Sequence, residues 1–281
     1  MSPAPVLARS NGYCGLSFSG ANPRQQLRLL DQTPPCRVLF PRPEEADVFE
    51  AAIVTTTGGL AGGDRIAMSI AATEEARVSV TTQAAEKVYR SLGDWTDLAV
   101  DISVDGASAL EWMPQETILF NASRFRRRTV IDLRDGASFV GGEMTIYGRT
   151  AHGEADPGID LFDSWRLRID GRLAWAENYG FAGPLSEAMA SPARLAGARA
   201  STALVATCGP GNEATILDEV RGRIAEGKRV AGGASVIDGL LVVRMTGELP
   251  HELRRTTMNV WRLLRQRILG FGPSLPRVWS V

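Results

Sequence analysis

Five glutamates in this chain, Glu111, Glu116, Glu143, Glu154 and Glu177, sit beside apolar or glycine-rich sequence. Two carboxylates that face each other can do acid–base work on a sugar, and hard carboxylate oxygens can hold a divalent cation weakly. A strand register that points a glutamate inward requires a polar cavity, an ion pair or a channel. Arg124, Arg126, Arg127 and Arg128 are cations available to pair with them. That run also reads as an edge strand protected by charge. An RNA-binding strip is the sharper reading, but only Phe125 is interleaved and the stacking platform such strips need is missing.

Softer ligands are scarce. The chain has two histidines, His152 and His251, far apart in sequence, and three cysteines, Cys14, Cys36 and Cys208, with no Cys-x-x-Cys pair among them. A resident zinc or nickel centre needs three or four ligands converging on one point, so none is expected. No nucleophile motif flanks either histidine, which argues against a catalytic triad. Scattered cysteines argue against a disulfide framework and point to a reducing, cytoplasmic compartment.

The segment Thr57-Gly58-Gly59-Leu60-Ala61-Gly62-Gly63-Asp64-Arg65 is the most unusual. Its glycines permit positive φ and close backbone approach. It has neither the Gly-Lys-Ser/Thr of a P-loop nor G-x-G-x-x-G spacing. The plainer reading is a tight turn or bulge between strands, with Asp64 capping its own backbone.

The elements that must position these groups are mostly strands. Residues 76–81, 98–104, 129–133 and 165–169 alternate with period two, and Asp-Gly pairs at 105–106, 135–136, 170–171 and 238–239 separate such runs. Asp105-Gly106-Ala107-Ser108 recurs as Asp135-Gly136-Ala137-Ser138, with a weaker copy near Glu74-Glu75-Ala76 and looser ones after Asp170 and Asp238. A recurring strand–turn–strand unit suggests stacked β-layers sharing one core. Helical spacing follows at 213–229 and from Pro250 to about Ile268, with a short helix expected within 186–195. Arg254, Arg255, Arg262, Arg265 and Arg267 form the polar face of the last helix, read as solvated or as a docking surface for an acidic partner. The fold expected is mainly β, a stacked, β-helix-like single domain over 15–281 with about two helices towards the C-terminus, after a flexible tail over 1–14.

Composition sets the outer limits. Apolar residues make up 44% of the chain, enough for a real core, and the net charge of −1 gives no global case for nucleic acid or an anionic membrane. No run approaches the ~20 apolar residues of a membrane span, and no signal-peptide core is evident. A β-rich carbohydrate hydrolase using paired glutamates is an alternative; it requires a cleft with exposed aromatics, for which Trp112, Trp165 and Trp175 are the candidates.

Several blocks together resemble the urease accessory protein family UreD (UreH in some bacteria). They are Gly58 to Asp64, Thr81-Thr82-Gln83-Ala84-Ala85-Glu86-Lys87-Val88-Tyr89-Arg90, Leu110 to Phe120, Tyr147-Gly148-Arg149-Thr150-Ala151-His152-Gly153-Glu154, and the end from Leu241 through Trp261, Arg265 and Pro276-Arg277-Val278-Trp279. The similarity runs in the family's order from about Leu16 onward. It departs at Thr55-Thr56-Thr57, where members often carry Asn-Pro or Asn-Thr. The resemblance implies a non-enzymatic scaffold that joins UreF and the GTPase UreG in a two-fold assembly built on a UreF dimer. That assembly docks on apo-urease (UreABC), and nickel passes toward the urease site through an internal water-filled tunnel. GTP hydrolysis would belong to UreG, consistent with the broken phosphate motif. The resemblance makes Asp64, Glu86, Glu143 and Glu177 the expected tunnel residues, with His152 the one soft ligand to test. For each carboxylate the competing expectation is a buried ion pair with Arg65, Lys87 or Arg149. No resident cofactor is expected, only transient Ni²⁺.

Overall fold

The computed structural model describes residues 9–209 and 211–279. The strands are β1 (Asn11–Ser19), β2 (Leu27–Thr33), β3 (Cys36–Leu39), β4 (Phe49–Thr55), β5 (Arg65–Thr73), β6 (Arg77–Thr82), β7 (Glu86–Val88), β8 (Thr96–Val104), β9 (Ala109–Met113), β10 (Thr117–Leu119), β11 (Ser123–Leu133) and β12 (Ser138–Tyr147). They continue as β13 (Ile159–Ile169), β14 (Arg172–Phe181), β15 (Ala200–Thr207), β16 (Val230–Ile237) and β17 (Leu240–Gly247). Three helices follow the early strands: α1 (Leu185–Ala190), α2 (Glu213–Ala225) and α3 (Pro250–Ile268).

Two sheets face each other. One has seven strands in the order β14-β13-β11-β8-β5-β1-β2. The other has ten, running β16-β17-β15-β12-β9-β6-β4-β3, with β7 and β10 attached beside β12. Their middle parts are parallel and built by repetition: the chain climbs one strand in the first sheet, turns, and descends one in the second. Arg65 lies opposite Asp97 and Asp97 opposite Arg126 in the first sheet, while Arg77 lies opposite Ala109 and Ala109 opposite Ser138 in the second. Each rung therefore returns after about 30 residues, as in a solenoid.

The Asp-Gly-Ala-Ser repeats are the corners of this solenoid. Gly106, Gly136 and Ala107 adopt positive φ there, which glycine takes without a Cβ penalty. The corners also stack, since Asp105 N–H donates to the Ala72 carbonyl and Arg134 N–H to that of Val104. The later Asp-Gly pairs, at 170–171 and 238–239, instead close antiparallel hairpins, β13–β14 and β16–β17. Sequence spacing alone did not separate these two uses.

Alternation supplies the core. Inward residues of β5, β8 and β11, such as Ile66, Ile70, Val100, Ile102 and Ile131, meet Val78, Val80, Leu110 and Phe139 of the opposite sheet. Helix α3 has Pro250 at its first turn and lays Leu253, Val260, Trp261 and Leu264 on the outer face of the ten-stranded sheet.

Some expectations need correction. Residues 11–14 do not belong to the tail expected over 1–14, because Asn11 opens β1 and Cys14 is fully buried; residues 1–8 lie outside the described residues. Arg124–Arg128 do not form an edge strand, since β11 runs between β13 and β8. Their outward members are matched to neighbouring strands: Arg124 with Asp160, Arg126 with Asp97 and Arg128 with Asp101. Arg265 leaves the solvated face assigned to it and is buried. Trp112, Trp165 and Trp175 are buried too, so they provide no exposed aromatic cleft for a sugar.

Candidate functional site

Beyond the apolar seam the sheets part. A cavity of about 630 Å³ lies between β11, β13 and β14 on one side and β12, β15, β16 and β17 on the other. Its charged lining is Arg127, Glu143, Asp163, Glu177, Arg194 and Arg244. Strand alternation puts all but Arg194 there. Arg127 is the inward residue between outward Arg126 and Arg128, and Asp163 is its direct partner across the β11–β13 ladder.

Two ion pairs bridge the sheets across this gap. Arg127 lies 2.5 Å from a Glu143 oxygen and 2.5 Å from Asp163. Arg127 also reaches Thr117 and Thr145 at 3.3 and 3.4 Å. Glu143 takes a 3.2 Å hydrogen bond from Thr129 at one oxygen; the other, though close to Arg127, makes no aligned hydrogen bond. The second pair is Glu177 of β14 with Arg244 of β17, whose guanidinium also lies 5.3 Å from the Trp175 ring.

Electrostatics follow the burial. Burial pushes the Glu143 carboxyl up, against the pull of Arg127. For Arg127 burial opposes the charge, but Asp163 and Glu143 outweigh it and hold the guanidinium charged. Arg244, with less help, is lowered by burial to about 10. The Tyr179 hydroxyl is buried without a hydrogen bond, whereas the second Glu143 oxygen and Arg244 Nη2 are the atoms that meet Arg127 and Glu177. A polar lining around a roomy cavity marks a wet space rather than a failed core.

The other expected residues lie elsewhere. Asp64 is a loop cap: its carboxylate accepts the N–H of Ala61 at 2.8 Å and of Ser10 at 2.7 Å. Gly59 and Gly62 before it are dictated by close approach, since a Cβ would sit 2.6 Å from Lys87 O and 2.2 Å from Ser91 Oγ respectively. Glu86 lines a separate cavity of about 280 Å³ with Thr55, Thr57, Gln83 and Lys87. Burial, with a smaller push from Asp64, raises its carboxyl to about 7 despite a 2.9 Å hydrogen bond from Thr55. His152 is exposed on a 3₁₀ turn over Thr150–His152.

Only Glu143 and Glu177 of the expected set share a cavity. Their partners are Arg127 and Arg244, not the expected Arg65, Lys87 or Arg149. Arg149 instead clasps Glu154 at 2.6 Å and lies on the Phe120 ring. Among the described residues no three His, Cys, Asp or Glu side chains are grouped to hold a metal. Asp163 and Arg244 were missed as site residues; the signal available for Asp163 was its inward position within an alternating strand.

A second buried charge network lies beneath α3. Arg265 is 1% exposed and pairs with Glu111 and Glu45, each at 2.8 Å. Glu111 is fully buried and also accepts from Ser79 at 2.6 Å and from the Trp261 indole at 2.5 Å. Arg265 Nε donates to Gly272 O at 2.8 Å, and Gly272 N–H donates to Glu45.

Comparison with known proteins bears on what these sites serve. A model of the family described as "UreD urease accessory protein" matches residues 10–280. A relative from Magnetococcus marinus, "Urease accessory protein UreD", is 38% identical over 275 residues, covering 96% of this chain and 94% of the relative. "Urease accessory protein UreD 1" of Methylobacterium radiotolerans is 39% identical, covering 99% and 94%. A "Urease accessory protein UreD" of Rhodopseudomonas palustris (strain BisA53) is 40% identical, covering 86% and 81%.

Proposed function

Because this chain belongs to the UreD urease accessory protein family, we propose that it is a non-enzymatic scaffold for urease maturation. It joins UreF and UreG in the cytoplasm, docks on apo-urease, and routes nickel inward. The assembly is two-fold and built on a UreF dimer. Nickel is cargo here, held only in transit.

The observation that carries the reading is the family match over residues 10–280. The cavity between the sheets supports it. A passage for a divalent cation needs oxygen donors and water inside a β core, with few enough ligands at any point to let the ion go. Glu143, Asp163 and Glu177 supply such oxygen donors to the cavity lining, each beside an arginine. Glu143 and Glu177 line the passage; Asp64 shapes the glycine loop, Glu86 guards a separate polar pocket, and His152 stays outside.

The test is co-expression with UreF, UreG and urease, with nickel-dependent urease activity as the readout. Activation is expected only when the chain is present and assembled. Equal activation in its absence would remove the reading.

A further inference from the structure

Carboxylates that line a cation's path would be expected to stand free or to face water. Here each is already held by an arginine: Glu177 by Arg244, and Glu143 and Asp163 together by Arg127. A guanidinium bound to a carboxylate occupies the oxygen edge that a metal ion would take. As folded, the cavity therefore offers a free cation little.

The two arginines are held very differently. Arg127 is buried and tied by Asp163, Glu143, Thr117 and Thr145. The Arg244 side chain is 37% exposed, and its carboxylate partner comes from the edge strand of the other sheet. Its Nη2 is the atom that meets Glu177, and the Trp175 ring lies 5.3 Å from its guanidinium. A ring face binds guanidinium without a carboxylate, so Arg244 has somewhere to rest when Glu177 releases it. Glu143, 4% exposed and paired with Arg127, lines the same cavity.

We propose that Arg244 is the gate of this passage, a built-in counter-cation that closes Glu177 to metal ions until its guanidinium withdraws onto Trp175. Arg127 is the fixed counterpart, which prevents Glu143 and Asp163 from becoming a permanent trap. Arg244 is thus a positioning residue that sets the metal affinity of Glu177. This inference rests on the passage reading above and adds its regulation.

The test uses the purified full chain and Ni²⁺ alone, titrated against a chelating dye. Arg244→Met keeps the side-chain stem and removes the charge. It is expected to bind Ni²⁺ at least tenfold more tightly than the unaltered chain. Arg244→Lys keeps the charge and is expected to stay weak. Arg244→Met with Glu177→Gln is expected to lose the gain. A loss of packing alone would not produce this pattern, and Arg244→Gln serves if the Met variant fails to fold. Folded Arg244→Met or Arg244→Gln chains that bind Ni²⁺ no more tightly than the unaltered chain overturn the gate. The assay contains no urease, so its failure is separate from failure of the passage reading, which appears as full urease activation by Glu177→Gln in the assembled complex.

Discussion

Among the described residues, two arginine–carboxylate networks of similar composition, one beneath α3 and one between the sheets, are finished differently. Beneath α3, the three nitrogens of Arg265 and the four oxygens of Glu111 and Glu45 all have partners. Between the sheets, around Arg127 and Arg244, polar atoms are left over and a cavity of about 630 Å³ remains. A fully satisfied network stabilises one packing and tolerates no loss. An unfinished one leaves room for water or a passing ion. The first network ties the C-terminal helix and the segment after it to the sheet, and the second lines the proposed passage. The type of charge does not distinguish them; the second network is the more exposed at Glu177 and Arg244, and its hydrogen bonding is less complete.

The largest expected effect lies in the closed network. Arg265→Ala removes the cation that pairs with fully buried Glu111, which costs about 3–5 kcal/mol. Urea unfolding should show that loss, and a change below about 1 kcal/mol would remove the distinction between the two networks. The open network should behave the other way. Glu177→Gln lies at a partly exposed pair, worth about 0–1 kcal/mol, so the melting temperature should move by a few degrees at most. Nickel-dependent urease activation should nonetheless fall severalfold.

Glu86 sharpens the comparison because it is a half-buried carboxylate held by a threonine rather than an arginine. Its carboxyl is raised from 4.5 to about 7, so the folded chain holds a proton that the unfolded chain has released. The associated stability is fully present below about pH 4.5 and is lost as pH rises through about 7. Thermal melts of the unaltered chain against Glu86→Gln should show the variant's advantage growing across that window; parallel curves would contradict the assignment. The smallest effect belongs to His152. His152→Ala, at an exposed turn, should change stability by less than about 0.5 kcal/mol and leave urease activation unchanged.

Much of the fold was legible because its signals are local. The Asp-Gly-Ala-Ser echo marks a corner that each rung must make, and period-two runs mark strands with one buried face. Asp64 as a cap was readable for the same reason, since its partner Ala61 is three residues away. The site was less legible because its pairs are distant in sequence. Arg244 meets Glu177 only because β17 and β14 belong to opposite sheets, and Arg265 leaves the expected polar face of α3 only because Glu111 waits beneath it. Which carboxylate receives which arginine depends on sheet order, and no spacing along the chain encodes that.

The most direct test of the central claim is nickel-dependent urease activation by Glu177→Ala and Glu143→Gln chains, with complex assembly verified for each. The account predicts assembled complexes with activation reduced severalfold or more, while His152→Ala activates normally. Full activation by both cavity variants would contradict it.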